Sequence, residues 1–243
     1  MQDSWIGPMT NADGQAILAN LSVVGALRAR RREDPDLAQR IQALKQFQHA
    51  RFERSYADLL ADPGQRDAAR FFLEELYGPH DFGDRDAQFA RIVPALVRLF
   101  PAEIVATVRT LSDLHALSEQ LDASMVANLP EGTVTTSSYA EAWRATGQAA
   151  ARQQQIDWMM QIGRALERYT RKPLLRHSLR LMRGPARAAG LGTLQQFLER
   201  GFDTFRGLAR SAEFLDLIAA RERQIARWLF DAELVAPAPP GFD

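Results

Sequence analysis

Apolar residues recur along this chain at intervals of three and four residues almost from end to end. That spacing places them on one face of an α-helix, whereas a half-buried strand would alternate apolar and polar residues. The one β-leaning stretch, residues 132–136, is too short and isolated to form a sheet. The pattern predicts an all-α protein, a multi-helix bundle of about eight to nine helices in two halves.

Helix start and stop signals set the expected boundaries. Asp34 can cap a helix with Pro35 in its first turn, because its carboxylate accepts from free amides and proline has no amide to leave unpaired. Pro94 should kink or break the helix that contains it, and Ser137 or Ser138 can cap a later one. The expected helices are residues 35–61, 65–77, 84–99, 101–128, 139–170, 173–183, 193–208 and 212–231.

The chain divides into segments of different character. The proline-rich C-terminus should be flexible, and the polar loop should act as a hinge or crossover between two helical halves. The expected organisation is residues 1–34 as an N-terminal helix and basic connector, 35–235 as a single helical domain with halves 35–129 and 139–235 joined by the polar loop 130–138, and 236–243 as a flexible tail.

The composition is that of a chain able to build a packed core. Of the 243 residues, 46% are apolar and 25% are charged. The absence of cysteine excludes disulfides, thiol nucleophiles and cysteine-ligated metal sites, and it fits a reducing compartment, so we expect a cytoplasmic protein. The apolar stretch 16–27 is too short to span a bilayer, so no transmembrane segment is predicted.

Motifs of several enzyme classes are missing. The sequence has no phosphate-binding loop of nucleotide hydrolases, no glycine-rich dinucleotide turn, no serine nucleophile elbow and no zinc-protease helix. It also has no Glu-x-x-His pair of the kind that di-iron bundles require. No catalytic residue, metal ligand or cofactor is therefore assigned, and a non-catalytic role is favoured.

The densest motif lies at residues 71–86, where a helix rich in aromatic residues meets Gly78-Pro79 and a group of charges. Its heptapeptide Phe-Phe-Leu-Glu-Glu-Leu-Tyr resembles the bacterial FFLEELY-motif family. The resemblance extends over most of the chain, including residues 176–184 and 197–202. It implies a bacterial source and a domain of unknown function, and it implies no mechanism.

We interpret this corner as structural, because its apolar residues share one helix face and its charges are suited to pair as the corner packs. The residues concerned are Phe72, Glu74, Glu75, Tyr77, His80, Asp81, Asp84, Arg85, Asp86 and Arg91. An alternative is a metal- or haem-dependent enzyme, or a cofactor-binding protein, with a site between the helical halves. Its candidate residues are Glu75, His80, Asp81 and Asp84 for a hard metal or acid–base chemistry, and His115 as a haem ligand.

A basic segment gives the second candidate site. Residues 168–187 contain seven cations, and no acid occurs between Glu167 and Glu199. The predicted anion- or partner-binding residues are Arg176, Arg180, Arg183 and Arg187, the first three on one helix face. Guanidinium groups suit oxyanions, but the formal net charge of zero argues against a nucleic-acid protein.

The sequence therefore predicts a binding or interaction module. Its ligand would be an acidic protein partner or an anionic small molecule that meets the basic helix face. A homo-oligomer is compatible with the sequence as well.

Overall fold

The structure is a computed structural model and describes residues 9–75, 83–208, 210–231 and 237–242. Regular secondary structure in these residues is entirely helical, which confirms the all-α class, and the helical segments number twelve rather than eight or nine. They are α1 (Met9–Glu33), α2 (Pro35–Ser55), α3 (Ala57–Ala61), α4 (Arg66–Glu75), α5 (Gly83–Leu99), α6 (Ala102–Asn128), α7 (Thr136–Thr146), α8 (Ala149–Thr170), α9 (Pro173–Leu181), α10 (Arg183–Ala188), α11 (Gly192–Gly207) and α12 (Ser211–Phe230).

Two of the additional helices arise where short breaks divide predicted ones. Gly147 has a φ of 62° and separates α7 from α8, which the sequence predicted as one helix; glycine adopts this left-handed conformation without a Cβ clash. Tyr56 separates α2 from α3. Pro94, by contrast, lies inside α5 without ending it.

The helix caps are partly as predicted. The Asp34 carboxylate accepts from the Leu37 amide at 3.0 Å, so Asp34 is the cap of α2. The prediction of Ser137 or Ser138 as the cap of α7 is wrong, because Thr135 occupies that position. Ser138 instead completes a capping box, in which the Thr135 amide donates to its hydroxyl at 2.9 Å.

Helix α6 is the central element, and α1, α2, α5, α7 and α8 all pack against it. Two clusters of buried apolar side chains lie around it. One contains Phe72, whose ring lies 6.0 Å from that of Phe205 and 5.8 Å from that of Phe214. The other contains Leu44, Met125, Tyr139, Trp228 and Phe242.

The two ends of the chain pack on this body. Helix α1 continues through the basic stretch expected as a connector, and Arg28 binds Asp86 of α5 at 2.8 Å. At the other end, where the sequence predicted a flexible tail, Phe242 is buried with its ring 5.2 Å from that of Trp228. The neighbouring prolines predicted flexibility, but burial of an aromatic ring stabilises the packed position of this residue.

No helix within the described ranges combines the length and the apolarity needed to cross a membrane.

Candidate functional site

A groove of about 640 Å³ lies between α9 and the ends of α8, α11 and α12 that meet it. Its floor includes the buried side chains of Phe205 and Leu208. Among the described residues, one acid, Glu167, and five basic side chains line it, namely Arg171, Arg176, His177, Arg180 and Arg206. With the histidine neutral, four arginines against one glutamate leave an excess of three positive charges.

Two of the groove arginines already bind acids of the chain. Arg171 donates to Glu167 at 2.7 Å, and Arg176 donates through Nη2 to Asp203 at 3.0 Å. The Nε atom of Arg176 is buried and has no hydrogen-bond partner among the described residues. Arg171 is 74% exposed and Asp203 is 55% exposed. Exposed ion pairs of this kind contribute about 0–1 kcal/mol, so an incoming anion can compete with them.

The predicted basic face is divided between two locations. Arg176 and Arg180 line the groove, whereas Arg183 and Arg187 do not. Arg183 binds Glu199 of α11 through two nitrogens, at 2.7 and 3.0 Å. The hydrogen bond from Arg183 lowers the pKa of the Glu199 carboxyl. Arg187 is exposed on α10.

The motif corner is described only in part. Residues 76–82, and with them Tyr77, His80 and Asp81, lie outside the described residues. Phe72 belongs to the apolar core. Arg200 of α11 donates to both glutamates of the motif, to Glu74 at 2.7 Å and to Glu75 at 2.6 Å.

The charges on α5 pair with several other elements. Arg85 donates to Glu75 at 3.1 Å, and Arg91 donates to the Ala189 carbonyl at 2.8 Å. Asp84 is exposed in the first turn of the helix. Asp86 accepts from Arg28 and lies 2.7 Å from His115 Nε2. Burial alone would raise the pKa of Asp86, but His115 and the neighbouring arginines lower it.

A second space, the central cavity, has a volume of about 240 Å³ and lies along α6. Glu75, Arg85, Asp86 and His115 border it at one end. Its other end is lined by polar side chains that the sequence analysis did not select: Lys45, Gln48 and Arg51 of α2, Ser118, Glu119 and Asp122 of α6, Tyr139 and Trp143 of α7, Arg152 and Gln155 of α8, and Glu222 of α12.

Buried ion pairs hold this polar end together. Arg51 binds Glu222 at 2.6 Å, and the Tyr56 hydroxyl donates to the same carboxylate at 2.7 Å. Glu119 binds both Arg31 and Lys45. Burial alone would raise the pKa of Glu119, but these two cations lower it to about 2.

The sequence did contain a signal for these residues. On α6, His115, Glu119 and Asp122 lie at positions i, i+4 and i+7 and therefore on one helix face. Such a stripe is usually solvent-exposed. On α6 this face lies in the protein interior because other helices pack around it.

The described residues contain no group of three or more histidine, aspartate or glutamate side chains placed to hold a metal ion. The Nε2 atom of His115, the candidate haem ligand, is already engaged by Asp86.

Residues 27–235 match the family described as Domain of unknown function (DUF8198). The chain belongs to this family. The DUF8198 match spans all helices from α2 to α12 and agrees with the expectation of a family without an assigned activity. No curated protein and no solved structure gives a significant match.

Proposed function

We propose that this DUF8198 protein is a non-catalytic binding module whose basic groove takes a small phosphate-bearing anion. The observation that carries this proposal is the convergence of four arginines with a single acid on one groove. A guanidinium group presents parallel N–H donors that match two phosphate oxygens, and it stays charged at every physiological pH.

The size of the groove favours a small molecule over a protein partner. Its volume of about 640 Å³ falls in the range of ligand pockets, roughly 300–1,000 Å³. A stable protein interface instead needs about 800 Å² of surface on each side. The apolar floor formed by Phe205 and Leu208 can contact the organic part of a phosphate ester.

The existing ion pairs support this use of the arginines. Because Asp203 and Glu167 hold Arg176 and Arg171 near the groove, these side chains need little reordering when an anion arrives. A phosphate with two negative charges would exchange weak, solvent-screened pairs for stronger charge-assisted hydrogen bonds.

Inorganic pyrophosphate is a direct probe, with binding measured by isothermal titration calorimetry at physiological salt. We expect Arg180→Glu and Arg206→Glu each to weaken pyrophosphate binding by about tenfold or more, since a charge-assisted hydrogen bond is worth about 1.5–3 kcal/mol. Circular dichroism should show unchanged helicity, because both side chains are exposed.

Arg187→Glu is the matched control. It makes the same change in charge on an exposed residue that does not line the groove. At a screening length of about 8 Å it should change the affinity by about twofold or less. Equal losses in all three variants would show that pyrophosphate responds only to overall charge, and absence of binding to the unaltered protein would also overturn the proposal.

The competing function is an enzyme with a metal or haem between the helical halves. Its support is the Asp86–His115 pair, which borders the central cavity. Metal analysis and an absorption spectrum of the purified protein test it. A stoichiometric metal or a haem absorption band would favour the enzyme.

A further inference from the structure

The central cavity joins an apolar arm, whose far end is bordered by Glu75, Arg85, Asp86 and His115, to a polar end built from other buried charged side chains. We infer that it is a second binding site, for an organic acid that binds as a monoanion, with an extended apolar body. The acid group would lie among α2, α7 and α8, and the apolar body would follow α6 toward α5 and α11.

The shape of the cavity fits an extended ligand. Its lining on α6 runs from Val108 to Asp122, a length of about 21 Å at 1.5 Å per residue. A volume of about 240 Å³ over that length describes a narrow channel, yet one far larger than the roughly 10–15 Å³ that one water needs. The side walls of the apolar arm include Phe89, Ile92, Leu111, Leu194 and Phe197.

Arg152 is the principal cation at the polar end. It is only 4% exposed, and its guanidinium lies 3.9 Å from the Trp143 ring centroid, with Nη1 3.2 Å from the Gln155 side-chain oxygen. Gln48 donates to Asp122 at 2.9 Å beside it. The stacking on Trp143 holds the guanidinium plane in place, as a receptor for a carboxylate requires.

The charges at the polar end favour an anion. The lining of the polar end has three cations, Lys45, Arg51 and Arg152, and three acids, Glu119, Asp122 and Glu222. A fourth cation, Arg31, lies outside the lining and pairs with Glu119. Four cations against three acids leave one positive charge even with Asp122 ionised. Burial raises the pKa of the Asp122 carboxyl, and each step toward its neutral form increases the positive excess. A ligand with one negative charge offsets it in a region where an uncompensated charge is costly.

Trp143 supplies an independent observation. Its side chain is only 8% exposed, and its indole Nε1 is buried without a hydrogen-bond partner among the described residues. A buried indole N–H ordinarily finds an acceptor. A carboxylate beside Arg152 would provide this acceptor and would offset the positive excess of the polar end.

This site is separate from the basic groove. Both use α8, but Arg152 lies near its start and Arg171 follows its end, about 28 Å apart along the helix axis. The groove is open and strongly cationic, whereas the cavity is mostly apolar with buried, paired charges. The two sites therefore select different anions.

A ten-carbon series tests the inference with calorimetry on the full chain, using decanoate, decan-1-ol and decylammonium. We expect decanoate to bind at least about tenfold more tightly than decan-1-ol, because charge-assisted hydrogen bonds to the carboxylate are lost in the alcohol. Decylammonium should not bind. Equal binding of decanoate and decan-1-ol would show that the polar end does not select charge, and it would overturn the inference.

Two variants test whether decanoate binds in the cavity. Leu111→Trp fills the apolar arm and should abolish decanoate binding. Trp143→Phe keeps a ring under Arg152 but removes the N–H donor, so it should weaken decanoate by about tenfold or more, the value of one hydrogen bond to a charged group. Unchanged affinity in both variants would show that decanoate binds elsewhere.

Matched controls separate loss of the site from loss of the fold. Arg164→Gln changes an exposed arginine of the same helix, which pairs with Asp216 at 3.1 Å, and should leave decanoate binding unchanged. Arg180→Glu in the groove should also leave it unchanged. Leu111→Trp should in turn still bind pyrophosphate if it is folded, so each site has a variant that spares the other.

Discussion

Replacing Glu119 by glutamine should remove a measurable part of the stability at neutral pH. Glu119 is 4% exposed and lies between Arg31 of α1 and Lys45 of α2, with the Lys45 nitrogen at 2.9 Å. The glutamine side chain has nearly the same shape but carries no charge. The variant therefore leaves two cations near the core without their common counter-ion, which is more costly than losing an exposed ion pair.

The lowered pKa of Glu119 gives the size of the expected loss in the free energy of unfolding. Burial acts to raise this pKa, but Lys45 and Arg31 lower it from an ordinary 4.5 to about 2. At 1.36 kcal/mol per unit of pKa, this difference corresponds to about 3 kcal/mol. A carboxyl with a lowered folded pKa stabilises the protein above its unfolded pKa and loses that effect as the pH falls through the folded pKa. About 2 of the 3 kcal/mol should be lost between pH 7 and pH 3.

Urea unfolding followed by circular dichroism measures this effect. The free energy of unfolding of the unaltered protein should exceed that of Glu119→Gln by about 3 kcal/mol at pH 7, and the difference should shrink as the pH falls below 4.5. Glu213→Gln, at an exposed glutamate paired with Arg210, is the control and should stay within about 0.5 kcal/mol. A difference that stays constant from pH 7 to pH 3 would refute the assignment of the lowered pKa.

Three further predictions concern packing and caps, each read as the midpoint of urea unfolding. Phe242→Ala should cost about 3–5 kcal/mol, because a buried ring is removed; a cost near zero is the result that a flexible tail predicts. Asp34→Ala should cost about 1 kcal/mol through loss of the bond from the Leu37 amide, whereas Asp34→Asn should keep most of it. Gly163→Val should cost about 1–3 kcal/mol, because an added Cβ would lie 2.6 Å from Leu215 Cδ2; unaltered stability would mean that Leu215 moves freely.

The parts of the fold that the sequence predicted are those that depend on local interactions. The cap at Asp34 and the proline that follows it act within one helical turn. The break at Gly147 was not predicted, because a glycine can continue a helix or end it in the left-handed conformation, and packing decides between them. The burial of Phe242 depends on rings of α2, α7 and α12 that lie far away in sequence.

The candidate sites show the same difference between local signals and long-range packing. Arg176 and Arg180 were predicted because a cationic run without acids is visible in one helix. The separation of Arg183 from them depends on Glu199, an acid of α11 that packs beside α9. Arg152 and Glu222 gave no local signal of burial, since a charged residue in an amphipathic helix is normally exposed.

The buried ion pairs have a clearer geometric role than an energetic one. Arg51–Glu222 joins α2 to α12, and the pairs of Glu119 join α6 to α1 and α2. Desolvation of each charge costs several kcal/mol and offsets most of the attraction within a pair. Leucines in these places would contact one another and close the space, whereas hydrogen-bonded charges keep the helices at a fixed separation. The pairs thus maintain the polar end of the cavity. Leu111 and Trp143 take no part in these pairs, so they are the positions where the inferred ligand binding can be tested without disturbing the ion pairs.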